Sequence, residues 1–323
     1  MPTASDELQV QCEQFIAFKR AAGVRYVKEA AILRRFLVFA SDYLTDAFEL
    51  PKDAVLAWNC RNGDEKPNNR RIRVNSVRSF AIYLNSKGIP AYISEKIRFG
   101  KSSFVPHIFS NAELARLFSA ADKHPSSNTS PNRCQVMPML LRTMYSSGMR
   151  VSEATKLRVC DVDLSAGLIT VLDTKFNKDR LIPVHSVLLE QLQRYAGLTL
   201  PVSDKHAPFF PAPEGRFYNP STVYGAFRNF LWDAGISHGG KGRGPRLHDL
   251  RHTFAVHCLR KWVMAGDDLL VALPYLSAYM GHNDLRYSQI YLRLTAEMYP
   301  DIVAKTERMF DVIPDWEGSY ETD

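Results

Sequence analysis

The sequence predicts a mainly α-helical protein with a small β-hairpin or sheet, arranged as an all-helical front domain followed by a mixed α+β domain. Three observations lead there. Apolar residues recur at three- and four-residue spacing along most of the chain. Two short runs rich in β-branched residues, "GLITVL" and "RLIPV", flank the turn-rich segment "DTKFNKD". At 323 residues the chain also exceeds what one core usually organises, with domains running at ~150 residues each.

Four amphipathic stretches fill residues 5–88, ending at turn signals such as Gly23, Pro51 and Gly88. Together they predict a helical N-terminal domain over 1–88. In "GIPAYISEKIRFGKSSFVPHIFS" the periodicity disappears and Pro and Gly punctuate the chain, so 89–109 is expected to be an extended linker. Ser110 then opens a helix, with Glu113 three residues later completing a capping box. A second domain is expected over 110–300, with the hairpin interrupting helices on both sides. The Gly-rich basic turn "GGKGRGP" leads into the helical stretch "LHDLRHTFAVHCLRKWV". Residues 301–323 read as a short amphipathic helix, with Met309, Phe310 and Val312 to bury, followed by an acidic tail.

Composition narrows the function classes. Hydrophobic residues make up 46% and charged residues 23%, ordinary for a globular protein, and no run of 18 apolar residues offers a membrane span. The start lacks the basic-then-apolar pattern of a secretory signal. Five scattered cysteines, none in C-x-x-C spacing, predict reduced thiols in a cytoplasmic protein. The net charge of +7 is unevenly placed. Arg70, Arg71, Arg73 and Arg78 lie along one predicted helix, Lys241 and Arg243 sit in the Gly-rich turn, and the tail is acidic. Clustered bases of this kind suit a polyanionic partner and make these six residues its candidate contacts.

The segment "LHDLRHTFAVHC" poses the chemical question. His248 and His252 stand four apart, as in a zinc peptidase helix, where a glutamate serves as base. Here the acid is Asp249, one carbon shorter, Ala255 stands where the longer pattern wants glycine, and Arg251 would put a fixed cation beside the ion. His248 and Arg251, three apart, instead share a helix face. Arginine forks onto phosphate oxygens, histidine moves protons near neutrality, and a helix start adds backbone N–H groups. The pair therefore favours a phosphate.

Three further segments join it. "MYSSGMRVSEATKLRVCDVDL" carries Arg150 with Glu153 three residues on. "TKFNKDRLIP" carries Lys175 in the β-turn, with Lys178 as a substitute. "YMGHNDLRYSQIYLRL" carries Gly281–His282 and then Tyr291 nine residues later, with Tyr287 and Tyr299 as rivals. In this order and spacing, the chain resembles the tyrosine recombinase, or phage integrase, family over about residues 110–300.

The resemblance implies a SAM-like core-binding domain in front of a tyrosine-recombinase catalytic domain, closing as a clamp around duplex DNA. It implies attack by Tyr291 on a scissile phosphate, giving a 3′-phosphotyrosine and a free 5′-hydroxyl. Arg150 and Arg251 would clamp the nonbridging oxygens, and Lys175 would protonate the leaving 5′-oxygen. His248 would act as acid and base, His282 would donate to the phosphate, and Glu153 would orient Arg150 or His248. No cofactor, metal or ATP is implied. The expected partners are double-stranded DNA bearing a specific site and three further copies, or a related recombinase, in a tetramer, with the C-terminal helix a candidate for exchange between protomers. With the sequence starting near the core-binding domain, a simpler recombinase without an extra arm-binding domain is expected. Type IB topoisomerase-like relaxation and, further off, a zinc hydrolase at "HDLRH" are the alternatives.

Overall fold

A computed structural model describes residues 3–45, 47–60, 63–98, 105–126, 130–172, 179–200, 204–240, 244–282, 291–292 and 294–295. The chain divides into two compact units, Met1–Phe104 and Val105–Asp323.

The first unit holds four helices, α1 (Ala4–Ala21), α2 (Val27–Ala40), α3 (Lys52–Asn59) and α4 (Pro67–Ser86). Helix α1 starts at a capping box in which Thr3 and Asp6 exchange bonds, satisfying two backbone donors that a helix start leaves open. Its Leu8, Cys12, Phe15 and Ile16 repeat at helical spacing and are the residues it buries. Helix α4 begins with Pro67 at its first turn, where the missing N–H costs nothing, and buries Val74, Val77, Phe80, Ala81 and Leu84. These faces meet around Phe15, Phe36 and Phe80, each at most 1% exposed. Each such ring contributes about 1.5–3 kcal/mol by leaving water. Tyr26, the residue before α2, adopts a left-handed φ of 43°. That conformation costs a non-glycine residue ~1–2 kcal/mol, offset by an edge-on contact of its ring with Phe15 at 5.7 Å.

The residues expected to form a linker are partly built into the two units. Leu50 N–H donates to Pro90 O and Tyr92 N–H to Leu50 O, while Asn75 holds both backbone groups of Ile97. At the other end Ile108 and Phe109 are buried in the second unit, and Phe109 N–H donates to the buried Thr253 hydroxyl at 3.0 Å.

The second unit contains α5 (Asn111–Asp122), α6 (Arg133–Ser147), α7 (Val151–Ala154), α8 (Ser186–Thr199), α9 (Pro220–Asp233), α10 (Asp249–Ala265) and α11 (Leu269–Met280). The Ser110–Glu113 capping box is present as the sequence predicts. The expected strand pair is β2 (Leu168–Val171) and β3 (Arg180–Pro183), antiparallel, with Val171 opposite Arg180 beside the turn. A two-residue strand, β1 (Val162–Asp163), adds to its edge and gives the order β1-β2-β3. Ile169, Val171 and Ile182 face a core shared with α5, α6, α8 and α9, among them Leu117, Leu140, Leu192 and Phe227. A smaller cluster joins α10 and α11 through Val256, Leu259, Leu276 and Met280, and includes Ile108, Tyr291 and Leu294. This second cluster carries the site. No helix among the described residues is long and apolar enough to cross a membrane.

Candidate active site

Four chain segments converge at one end of α10. The first is the turn after α6. Gly148 ends that helix at φ 60°, a conformation that favours glycine, and lets the chain reverse so that Arg150 stands at the start of α7. Glu153, 9% exposed, accepts from the Arg150 backbone N–H at 2.9 Å and from its guanidinium at 2.7 Å. The second segment is α10, whose N-cap is His248 and whose Arg251 is only 1% exposed. Arg251 donates to Gly148 O and, at 2.7 Å, to Met280 O.

The third segment is the end of α11. Gly281, at φ 68°, closes the helix: His282 N–H bonds back to Ser277 O at 2.9 Å and Gly281 N–H to Ala278 O at 3.0 Å. This is the six-to-one and five-to-two pairing of a Schellman cap. The last two open carbonyls, Tyr279 O and Met280 O, go to two guanidiniums, Arg180 at 3.0 Å and Arg251. His282 is thereby fixed at the rim. The fourth segment brings Tyr291, 2% exposed, into the α10–α11 cluster. Arg251 hydrogen-bonds its side chain, and its ring lies 6.0 Å from His282, stacked, and 5.6 Å from His252.

The electrostatics are those of a crowded cationic site. Surrounding protein, then Arg251 and Arg150, hold His248 down to about 4, although the residue keeps exposed surface on which an incoming anion would act. Burial, then Arg251, Arg150 and Arg180, hold His282 down to about 4 as well. Burial also depresses the Arg251 guanidinium to about 10, with Arg150 adding to the effect. Burial raises the Tyr291 phenol, while Arg251 and Arg150 pull the other way. The tyrosine is therefore a protonated, weak nucleophile until a base takes its proton. For Glu153, burial works upward, but bonds from Arg180 and Arg150 outweigh it and hold the carboxylate down to about 2. A phosphate entering here would meet two arginines and two histidines, donors suited to charge developing on phosphoryl oxygens.

The remaining sequence candidates fall differently. Lys175, its rival Lys178, Lys241, Arg243 and the tyrosines 287 and 299 lie outside the described residues. Asp249 is fully buried and accepts the Arg246 N–H at 2.8 Å, so it holds the turn that leads into α10. Among the described residues no group of three His, Cys, Asp or Glu is placed to hold a metal. His257 hydrogen-bonds Tyr145 at 2.9 Å.

On α4, Arg73 has to be withdrawn as a DNA contact. Its side chain, 9% exposed, forks onto Glu65 at 2.7 and 2.8 Å and donates to Trp58 O and Cys60 O. It faces inward because it sits among the buried positions of the helix, beside Val74 and Val77. Arg70 donates twice to Asn59 O, and Arg71 donates to Asn68 Oδ1. Arg78 is partly buried. Exposed bases that the α4 pattern did not suggest, Lys28 and Arg35 of α2, line a groove of about 550 Å³ with Asn69.

Arg180 is the residue sequence reasoning missed. It pairs with Glu153 through both guanidinium nitrogens, at 2.8 and 3.3 Å, with its side chain 8% exposed. The signal was present in "NKDR", where a charged residue opens a strand that is otherwise buried on one face.

The phage integrase family model matches residues 108–298. A putative integrase/recombinase y4rB of Sinorhizobium fredii is 28% identical, covering 93% of this chain and 96% of its own. A second, y4rE of the same organism, is 30% identical over 92% of this chain and 94% of its own. The tyrosine recombinase XerD of Agrobacterium fabrum is 27% identical over 86% of each. Among solved structures, a XerH site-specific recombinase bound to a palindromic difH substrate shares the fold, with a TM-score of 0.62 at 17% identity over 95% of this chain and 98% of that one. A lambda integrase dimer bound to a COC′ core site does so with a TM-score of 0.60 at 15% identity over 97% and 99%. With the family model covering more than half of the sequence and a 30% identical relative covering nearly all of it, this chain belongs to the phage integrase family.

Proposed function

We propose that this protein is a site-specific DNA recombinase that breaks and rejoins strands through a 3′-phosphotyrosine at Tyr291, without metal or ATP. The observation that carries this reading is the convergence of Arg150, His248, Arg251, His282 and Tyr291, drawn from four separate segments, around one pocket of positive charge. Arg150 and Arg251 neutralise the nonbridging oxygens of the scissile phosphate, using guanidinium donors left over from their structural bonds. His248, neutral before DNA arrives, takes the Tyr291 proton as the phenol attacks phosphorus. His282 donates to a phosphoryl oxygen. Lys175 protonates the departing 5′-oxygen, completing a balanced transesterification: the O–P bond to tyrosine forms as the O–P bond to the 5′-carbon side breaks. Because the phosphodiester energy is conserved in the adduct, attack by a second strand's 5′-hydroxyl reverses the chemistry and exchanges strands.

The N-terminal unit supplies further phosphate and groove contacts, with Lys28 and Arg35 joined to Arg70, Arg71 and Arg78, and Lys241 and Arg243 add to them from the second unit. The protein acts in the cytoplasm as a tetramer on two DNA sites; residues 301–323, the candidate segment for exchange between protomers, lie outside the described residues. Integrase and recombinase relatives matched along nearly the whole chain support this assignment over simple relaxation.

The test uses a library of nicked duplexes in EDTA, quenched with SDS, from which DNA covalently bound to protein is sequenced. Two copies of the recovered sequence are then placed on one plasmid. Deletion or inversion between them supports a recombinase. Relaxation without exchange would transfer the protein to the topoisomerase class.

A further inference from the structure

We infer that Arg180 is a positioning residue that locks three parts of the active site into one register. This inference rests on the reading of Tyr291 chemistry above. Arg180 opens β3, the strand that follows the turn carrying Lys175. Its two terminal nitrogens fork onto Glu153, and Glu153 holds both the backbone and the guanidinium of Arg150. Its Nε donates to Tyr279 O, the penultimate carbonyl of α11, next to the carbonyl that Arg251 holds. A single planar fork thus ties the start of β3, the Arg150 turn and the Gly281–His282 corner together. Only an arginine has three donors in the right plane; lysine keeps the charge but loses the geometry.

The corner is fitted to this guanidinium. A Cβ at position 281 would lie 2.9 Å from Arg180 Nη1 and 3.2 Å from its Cζ, so the bare glycine is what lets the arginine pass. Among the described residues, the Arg180 guanidinium donates to Glu153 and Tyr279 O. It acts through Glu153 and Tyr279 O, and a misplacement of about 1 Å relayed to the reacting groups lowers rates about 100-fold.

Wild type, Arg180→Lys, Arg180→Met, Glu153→Gln and the Arg180→Met/Glu153→Gln double variant are compared on one nicked duplex recovered with the wild-type protein. Binding is read by gel shift, covalent adduct by SDS gel, and folding by thermal melting. The expected result is that Arg180→Lys and Arg180→Met bind DNA like wild type but form adduct about 100-fold more slowly. The double variant should be hardly slower than either single one, because both changes break the same link.

The pH profile adds a readout that loss of stability alone would not move. Arg150, Arg180, Arg251 and His248 act on the Glu153 carboxylate, and Lys156, Arg158, Asp161 and His206 line the adjoining cleft. Removing one cation makes Glu153 easier to protonate, because burial then meets less opposition. Arg180→Met should therefore lose adduct formation at a higher pH than wild type, whose acid limb is set by His248 at about 4. Arg180→Lys forming adduct at the wild-type rate, or fully additive effects with an unmoved acid limb, would overturn the inference. Wild-type protein giving no adduct at all would instead overturn the Tyr291 reading beneath it.

Discussion

Replacing Gly148 with alanine tests how the turn between α6 and Arg150 is held. Two costs follow from the structure. Gly148 sits at φ 60°, where an L-residue is strained by ~1–2 kcal/mol. The added Cβ would also lie 2.7 Å from Phe254 Cδ1 and 3.0 Å from its Cε1, an overlap that costs ~1–3 kcal/mol in a packed interior. Against these, alanine narrows the unfolded ensemble and returns ~0.4–1 kcal/mol. The net is about 3 kcal/mol, or roughly 6–12 °C in melting temperature for a unit of this size. Gly266, at φ 86° with nothing within 4 Å of its would-be Cβ, isolates the strain term alone. Gly266→Ala should therefore melt only about 1–4 °C below wild type. The damage at Gly148 should reach the chemistry too: Phe254 stacks on Tyr279 at 5.6 Å, and the Gly148 carbonyl receives Arg251. Thermal melting of both variants checks the reasoning. Equal melting temperatures for the two alanine variants would refute it.

Other consequences are as direct. Thr253→Val leaves the buried Phe109 N–H without its acceptor and should cost about 1–3 kcal/mol, whereas Thr253→Ser should be close to wild type; denaturant titration distinguishes them. Arg73→Met should destabilise the N-terminal unit by about 3–5 kcal/mol, since it removes the guanidinium fork that holds the largely buried Glu65 carboxylate. Arg35→Ala, by contrast, should leave melting unchanged and lower the slope of log affinity against log salt by about 1.

The pH dependence of DNA-free protein follows from the histidines. Burial and the arginines hold His282 at about 4 and burial holds His252 at about 3, both below the ordinary 6.5. The unfolded chain therefore takes up protons first as pH falls, and the stability due to neutral histidine, complete above 6.5, is lost from about 6.5 down to about 4 for His282 and about 3 for His252. A melting temperature that drops over this range, and drops less with bound DNA whose phosphate favours the charged form, is the expected outcome. A flat profile would contradict it.

The sequence showed the chemistry more readily than the connections that support it. Arg150, His248, Arg251, His282 and Tyr291 were singled out because their order and spacing resemble the phage integrase motifs, and the structure brings these five together. The Ser110 cap and the strands around 168–183 were legible from local pattern alone, a capping box and two β-branched runs. What stayed hidden depends on contacts between residues distant in sequence. Nothing in "NKDR" says that Arg180 meets Glu153, 27 positions earlier, or that consecutive carbonyls of α11 are shared between two arginines. Arg73 misled because charge clustering along a helix is read as a surface property, while its position on the buried face of α4 gave it Glu65 as partner. Leu50 pairing with Ala91, which draws the start of the expected linker into the first unit, is likewise set by tertiary packing and not by local propensity.

The central claim is that the Tyr291 phenol becomes joined to DNA. Its most direct test is to trap the adduct on a nicked duplex in EDTA, digest the protein, and map the nucleotide-bearing peptide by mass spectrometry, with Tyr291→Phe run in parallel. The account predicts one modified peptide, carrying a 3′-linked nucleotide on Tyr291, and none from the variant. A modified peptide centred on Tyr287 or Tyr299, or adduct persisting in Tyr291→Phe, would contradict it.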